Sequence, residues 1–346
     1  MIVYEVDPIV DERWDRFVDL HPQASIFHTR GWLRALQQTY GYVPIAFTTS
    51  PPGRPLENGW PFCQVSSWIS GRRLVSLPFA DHCAPLADGP EQLYSLLRHV
   101  RDKVVFENWG YIELRPPHST STTNSAFGTS DTFFLHKLDL RPSLEKIYRC
   151  LHKNCVQRKI RRAEREGLIY KEGRSDALLD EFYDLLLITR RRHGLPAQPK
   201  DWFHNLATNL GNALKIRVVS KDGRPVASIL TLSHKDVLVY KYGCSDHRLN
   251  KCGGTQLLLW KAIQDAKEAR LTEFDLGRSD TNNPGLVKFK DRWGATKTEM
   301  TYLRYPWTHF RSALEGRKDF LNRYVWCHMP GKVLAAAGKL LYRHTG

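Results

Sequence analysis

Apolar residues recur at helical spacing in residues 25–41, SIFHTRGWLRALQQTYG, and again in 90–105, PEQLYSLLRHVRDKVV, so each predicts a helix. Between them the alternating runs VPIAFTT (43–49), PFCQVSS (61–67) and RLVSLPF (73–79) predict strands, and a short strand YIELR (111–115) follows. From Pro116 to Ser130 the chain turns to Ser, Thr, Pro and Asn, which predicts a solvated loop or edge connection ahead of TFFLHKLDL (132–140). The second half opens with a long basic helix around Leu144 to Glu166. A further helix covers 176–194, where Leu178, Leu179, Phe182, Leu185 and Leu186 share one face. Three strands come next, ALKIRVVS (213–220), PVASILTLSH (225–234) and VLVYKYG (237–243), joined only by KDGR and KD, which predicts an antiparallel meander. A glycine-bearing loop, CSDHRLNKCGG (244–254), leads into the helix TQLLLWKAIQDAKEAR (255–270), with Thr255 as its expected N-cap. The strand TEFDL (272–276) and a polar, Gly-containing loop then deliver the cluster Phe289, Lys290, Trp293 and Gly294.

Composition narrows the class. A chain of 346 residues exceeds one ordinary core and suggests two domains. Its 42% hydrophobic residues and ten Trp supply cores without staples. The 51 Lys and Arg against 36 Asp and Glu leave a net charge of +15, a field that attracts phosphates, nucleic acid or anionic membrane unless it is only a solubility bias. Seven Cys without a Cys-x-x-Cys pair fit reduced thiols in a cytoplasm rather than a disulfide framework or a zinc site. The first residues lack the basic start and apolar run of an export signal, and no run of 18 apolar residues predicts a spanning helix.

Two helices, a three-strand meander, a phosphate-type loop, a helix and a short strand follow the order of the GNAT acyltransferase fold. The first half repeats that order loosely, with LPFADHCAP in the slot of YGCSDHRLN and YIELR in the slot of TEFDL. The run Phe274-Asp275-Leu276-Gly277-Arg278-Ser279, followed by Phe289-Lys290-x-x-Trp293-Gly294, resembles the Fem-like group of GNAT-related transferases. Within that group it is most similar to FemAB-related proteins associated with exopolysaccharide and exosortase systems. IFHTRGWLRAL (26–36), RKIRRAEREG (158–167) and TRRRHGLP (189–196) extend the resemblance over most of the chain. It implies an α/β (α+β) fold of tandem GNAT-like domains, each a mixed, mostly antiparallel sheet flanked by helices. An N-terminal domain would span 1–142, with 306–346 returning to it, and a catalytic domain 143–305.

Transfer of an acyl group to an amine passes through a tetrahedral species whose oxygen gains charge, so a cation must wait there. The resemblance gives that role to Lys290, with Phe289 excluding water; the plain alternative is a solvated lysine between Lys288 and Asp291. Asp275 and Arg278, three residues apart at a strand end, could orient an amine and hold a phosphate, or simply close the turn. Ser279 could add a hydroxyl donor or cap that turn. Alternation along 237–243 puts Tyr240 and Tyr242 on one face, as acceptor contacts or as ordinary half-buried sheet residues. Arg192 matches a family arginine that holds acceptor phosphates, unless it is only a basic helix end. Asp81 and His82 are candidate acceptor residues of the first domain, and no metal-ligand spacing surrounds them.

The donor is the open question. Ordinary acetyltransferases cradle the coenzyme A pyrophosphate on an Arg/Gln-x-x-Gly-x-Gly/Ala turn at a helix N-terminus. In RLNKCGG, Arg248 and Gly253 keep that outline, but Lys251 stands where the first Gly belongs. The reading is therefore an N-acyltransferase with no bound cofactor, using aminoacyl-tRNA as co-substrate and acyl-coenzyme A as the alternative. Its acceptor would be a nucleotide-sugar or lipid-linked cell-envelope precursor of the peptidoglycan or exopolysaccharide kind. A non-catalytic module binding anionic glycan or nucleic acid is the reading from a different class. Arg158, Arg161, Arg162 and Arg165 form a positive helical stripe suited to RNA or lipid, or a solvated face. The expected location is the cytoplasm. The amphipathic tail MPGKVLAAAGKLLYRHTG, with Lys332, Lys339 and Arg343, either touches the inner face of the membrane or docks on the first domain.

Overall fold

The structure is a computed structural model that describes residues 1–68, 71–117, 126–306 and 326–344. Those within Met1–Phe133, Glu299–Phe310 and Tyr342–Gly346 form one compact unit, and those within Phe134–Thr298 and Arg311–Leu341 form another. Most of the 116–130 connection, residues 118–125, lies outside the described residues, as do 307–325 of the tail.

In the first unit, β1 (Tyr4–Val6) pairs antiparallel with β2 (Val43–Thr48), which continues into the meander β3 (Trp60–Ser67) and β4 (Gly71–Val75). Helix α3 (Pro90–Phe106) then returns the chain so that β5 (Tyr111–Leu114) lies parallel to β4. Helix α2 (Arg30–Tyr40) starts where the Thr29 side chain accepts from the Trp32 N–H and stops at Gly41. Helix α1 (Arg13–Leu20) was not legible in the pattern, because only Trp14, Phe17 and Val18 of its eight residues face inward. They join Ala46, Leu56 and Leu86 in a small core.

The second unit repeats this plan. Its meander is β8 (Leu214–Lys221), β9 (Arg224–His234) and β10 (Val237–Ser245), edged by β7 (Ile169–Gly173). Helix α8 (Gly254–Glu268) leads to β11 (Glu273–Asp280), parallel to β10. Each unit is thus a mixed, mostly antiparallel sheet flanked by helices, in the same strand order. Strand β12 (Thr296–Tyr305) comes after the second repeat in sequence yet pairs antiparallel with β5, and β6 (Gly128–Asp139), which comes after the first, runs beside β11.

The predicted basic helix 144–166 is broken. Helix α4 (Leu144–Cys150) ends at an extended, buried Leu151, a single π-helical turn covers Lys153–Gln157, and α5 (Arg158–Arg165) follows. The Gln157 amide donates to the Tyr148 and Leu151 carbonyls, satisfying the end of α4, and His152 Nδ1 accepts from Cys155 N–H to start the next turn. Helix α6 (Asp176–His193) carries the predicted apolar face, whereas α7 (Lys200–Leu210) was not expected. Its Trp202, Phe203 and Leu206 are fully buried.

The C-terminal helix Gly331–Tyr342 packs on the second unit through residues 331–341, where a return of 306–346 to the first was expected. A Cβ on Gly338 would fall 1.5 Å from the Ala197 carbonyl oxygen, and one on Gly331 would touch Leu187. Tyr342 and His344 belong to the first unit, where Tyr42 donates to the Tyr342 carbonyl and Arg73 to that of His344. Among the described residues, no helix is long and apolar enough to cross a membrane.

Candidate active site

The start of α8 is built by glycine. The predicted N-cap, Thr255, lies inside the helix; the cap is Gly253, at φ +80°, with no side-chain hydrogen bond. Glycine is required there because α5 passes against it: a Cβ would sit 2.3 Å from the Lys159 carbonyl oxygen. The first N–H groups of α8 therefore have neither a helical partner nor a side-chain cap. They open on a cavity of about 270 Å³ lined by Gly254, Thr255, Gln256, Ser245, Lys159, Arg192 and Phe289, among others. Arg192, at the C-terminal end of α6, and Phe289 are the two sequence-predicted residues brought together here. The helix positive end and two cations suit this cavity to an anionic group.

The loop before α8 is a 3₁₀ turn, His247–Cys252. Asp246 takes the Arg248 guanidinium through both oxygens, at 2.9 Å and 2.6 Å, and this hydrogen bonding holds its carboxyl below the usual range. Arg248 thus closes its own turn. Lys251 is exposed and lines an adjoining cavity of about 320 Å³ with Asn154, Arg158, Lys159, Arg162 and Asn250. A third hollow runs on along α5 between Arg158, Arg162, Arg165 and Glu166. Glu166 is engaged by Lys221 and Arg162, while Arg158, Lys159, Arg165 and Lys251 have no carboxylate partner among the described residues.

The expected polar loop before Lys290 is a helix, α9 (Pro284–Asp291). The Asn283 side chain accepts from Leu286 N–H and Pro284 occupies the first turn, a start signal that the sequence carries. Lys290 is 3% exposed, so it is no solvated lysine. Its Nζ donates to the Gly277 and Arg278 carbonyl oxygens, each at 2.8 Å. Phe289, one residue earlier, faces the 270 Å³ cavity.

Strand β11 runs on through Asp280 rather than ending at Leu276. Asp275 is 1% exposed, and its Oδ1 accepts from the Gly277 N–H at 2.7 Å, where Gly277 has φ +73°. That carboxylate shapes the turn whose carbonyls hold Lys290. Arg278 is half-buried, and the Ser279 hydroxyl is buried without a hydrogen-bond partner among the described residues.

Tyr240 and Tyr242 do not share a face. The pairing of β10 with β9 slips by one residue between them, a bulge that inverts the alternation. Tyr240 packs on the core beneath α8, its hydroxyl where a Cβ on Gly243 would be 1.7 Å away, and burial pushes its phenol pKa up. Tyr242 turns to α6 and α7, against Phe203 and Phe182, with Trp202 Nε1 donating to its hydroxyl at 2.9 Å.

In the first unit, Asp81 is half-exposed and His82 is 9% exposed. They end a loop in which Leu77 and Phe79 both have φ near +60°. The buried Arg115 guanidinium donates to the Leu77 carbonyl at 3.0 Å and to Glu113, and Tyr302 donates to the Asp81 carbonyl at 2.7 Å. Cys83 is fully buried, and burial pushes its thiol pKa up, so it is no nucleophile. Among the described residues, no group of three or more His, Cys, Asp or Glu is placed to hold a metal ion.

Residues 152–291, from the break before α5 to the end of α9, match the acetyltransferase (GNAT) domain family. Over 315 residues the chain is 24% identical to the UDP-N-acetylmuramoylpentapeptide-lysine N(6)-alanyltransferase of Weissella viridescens, covering 82% of this chain and 89% of that one. Residues 152–291 thus carry a GNAT domain, and the chain as a whole is similar to a Fem-type alanyltransferase. The crystal structure of FemX is similar in fold to this chain, with a TM-score of 0.71 at 14% identity over 88% of this chain and 97% of that one. A tandem GNAT protein from the clavulanic acid biosynthesis pathway has a TM-score of 0.56 at 9% identity, over 88% and 97%.

Proposed function

We propose that this protein transfers an amino acid from aminoacyl-tRNA to an amine of a peptidoglycan or exopolysaccharide precursor, with residues 143–305 supplying the transfer chemistry. The observation that carries the reading is the similarity to an alanyltransferase along 82% of the chain, beside a GNAT domain match whose residues, 152–291, include Lys290. In the reaction the acceptor nitrogen attacks the ester carbonyl carbon and a C–N bond forms. The ester C–O bond then breaks, and the ribose hydroxyl leaves with the proton that the amine gives up. Lys290 would stabilise the oxygen that becomes negative between these steps, in a buried site where the attraction between the two charges is less screened than in water. Phe289 would keep water from the ester. Arg192, Lys159 and the N–H groups of α8 would hold phosphate, Arg278 and Ser279 would contact the substrate beside Lys290, and Tyr242, Asp81 and His82 would contact the acceptor. Because both substrates are cytoplasmic or exposed at the inner membrane face, the enzyme would work there.

An acyl-coenzyme A donor is the second reading, favoured by the preserved α8 N-terminus and its cavity. Against it stand Lys251 in the phosphate turn and the commitment of Arg248 to Asp246. Incubation with alanyl-tRNA and UDP-N-acetylmuramoyl-pentapeptide should add one alanyl residue to the peptide, read by mass spectrometry. Stoichiometric binding of acyl-coenzyme A, with turnover indifferent to RNA, would replace the first reading by the second.

A further inference from the structure

A buried histidine that neither the apolar pattern nor the family resemblance singled out stands beside Lys290. His136 lies on β6 with its ring fully buried, and its Nε2 is 3.1 Å from Asp291 Oδ1. A carboxylate only accepts, so the neutral ring donates from Nε2 and leaves Nδ1 as a bare acceptor. That Nδ1 is buried and has no hydrogen-bond partner among the described residues. Burial, and then the positive charge of Lys290, hold the ring below its ordinary pKa although Asp291 acts to raise it.

Two consecutive residues of α9 are therefore tied to two neighbouring strands. Lys290 binds the β11 carbonyls of Gly277 and Arg278, and Asp291 binds His136 on β6. Successive helical side chains diverge by about 100°, so this pair of ties fixes the rotation of α9 about its own axis. A leucine would fill the place of His136 without burying an unmatched acceptor, which costs stability. Packing alone does not account for the histidine.

We propose that His136 is a positioning residue for the transfer reaction, locking α9 through Asp291 so that the Lys290 ammonium stays aimed at the β11 turn. This rests on the reading of Lys290 as the group that stabilises the transition state. The test compares His136→Leu, which loses the donor to Asp291, with His136→Gln, which keeps an N–H within reach of it. Both are made in the full chain and checked by thermal unfolding. Transfer from alanyl-tRNA to UDP-N-acetylmuramoyl-pentapeptide is measured together with acetylation of Lys290 by acetic anhydride, read by mass spectrometry.

The leucine variant should lose about tenfold or more in kcat, as small misplacements of a reacting group do, with KM for both substrates unchanged. Its Lys290 should label several times faster than in the parent. The glutamine variant should recover both properties. Labelling needs no turnover, so a parent enzyme inactive with these substrates would count against the proposed function alone. Unchanged Lys290 labelling in the leucine variant, or a glutamine variant as defective as leucine, would overturn the inference.

Discussion

Gly253 lies so close to α5 that a Cβ on it would sit 2.3 Å from the carbonyl oxygen of Lys159. The same residue holds φ +80° and caps α8. Backbone atoms cannot swing aside as a side chain can. Gly253→Ala should therefore destabilise the protein by about 2 kcal/mol or more, combining left-handed strain with the clash. It should also weaken donor binding, because α8 must move away from Lys159. Urea unfolding and calorimetry read the two effects; a Gly253→Ala protein of parental stability would show that α5 and α8 do not meet this closely.

Lys290→Ala should lower kcat by roughly 10²–10³, the usual loss when one donor to a developing oxyanion is removed. Substrate KM should change little. The substitution also strips the Gly277 and Arg278 carbonyls of their buried donor, so stability should fall by roughly 1–3 kcal/mol. Lys290→Ala that turns over at the parental rate while properly folded would remove Lys290 from the chemistry.

The hollows along α5 make a salt-dependent prediction. Arg158, which has no carboxylate partner among the described residues, lines both basic hollows. Arg158→Glu should weaken tRNA binding by a similar factor for every tRNA sequence and flatten the dependence of affinity on salt, as the loss of a phosphate contact does. Loss confined to one tRNA would point to base reading instead.

His136 faces Lys290 and Asp291 from α9 and Lys297 from β12, and its folded pKa is lowered. A group whose pKa is depressed by folding binds more protons unfolded than folded. Its contribution to stability is thus fully present above the unfolded value of about 6.5 and is lost as pH falls. Stability should decline between pH 7.5 and pH 5.5 in the parent, and this part of the decline should vanish in His136→Gln. Urea midpoints at the two values of pH check it.

The sequence by itself determined the elements whose signals are local. The β8–β10 meander was readable from alternation interrupted by KDGR and KD, and the apolar face of α6 from its 3.6-residue period. The repeated order of strands and helix could be read from those elements, whereas Lys290 was singled out only by resemblance to the Fem-like Phe-Lys motif, local pattern alone favouring a solvated lysine. Asn283 and Pro284 also announced α9, although eight residues with few apolar positions looked like a loop.

Only the tertiary structure decided the rest, because it depends on partners distant in sequence. The bulge that sends Tyr240 and Tyr242 to opposite faces follows from pairing with β9, not from β10 alone. The helix over 144–166 breaks because Gln157 and His152 supply new partners to its backbone. Gly253 rather than Thr255 begins α8 because α5 leaves no room for a Cβ. His136 was one polar residue in an apolar strand until Asp291, 155 positions away, came within hydrogen-bond distance. Periodicity records which side of an element is buried; which atoms meet there depends on how the elements pack against one another.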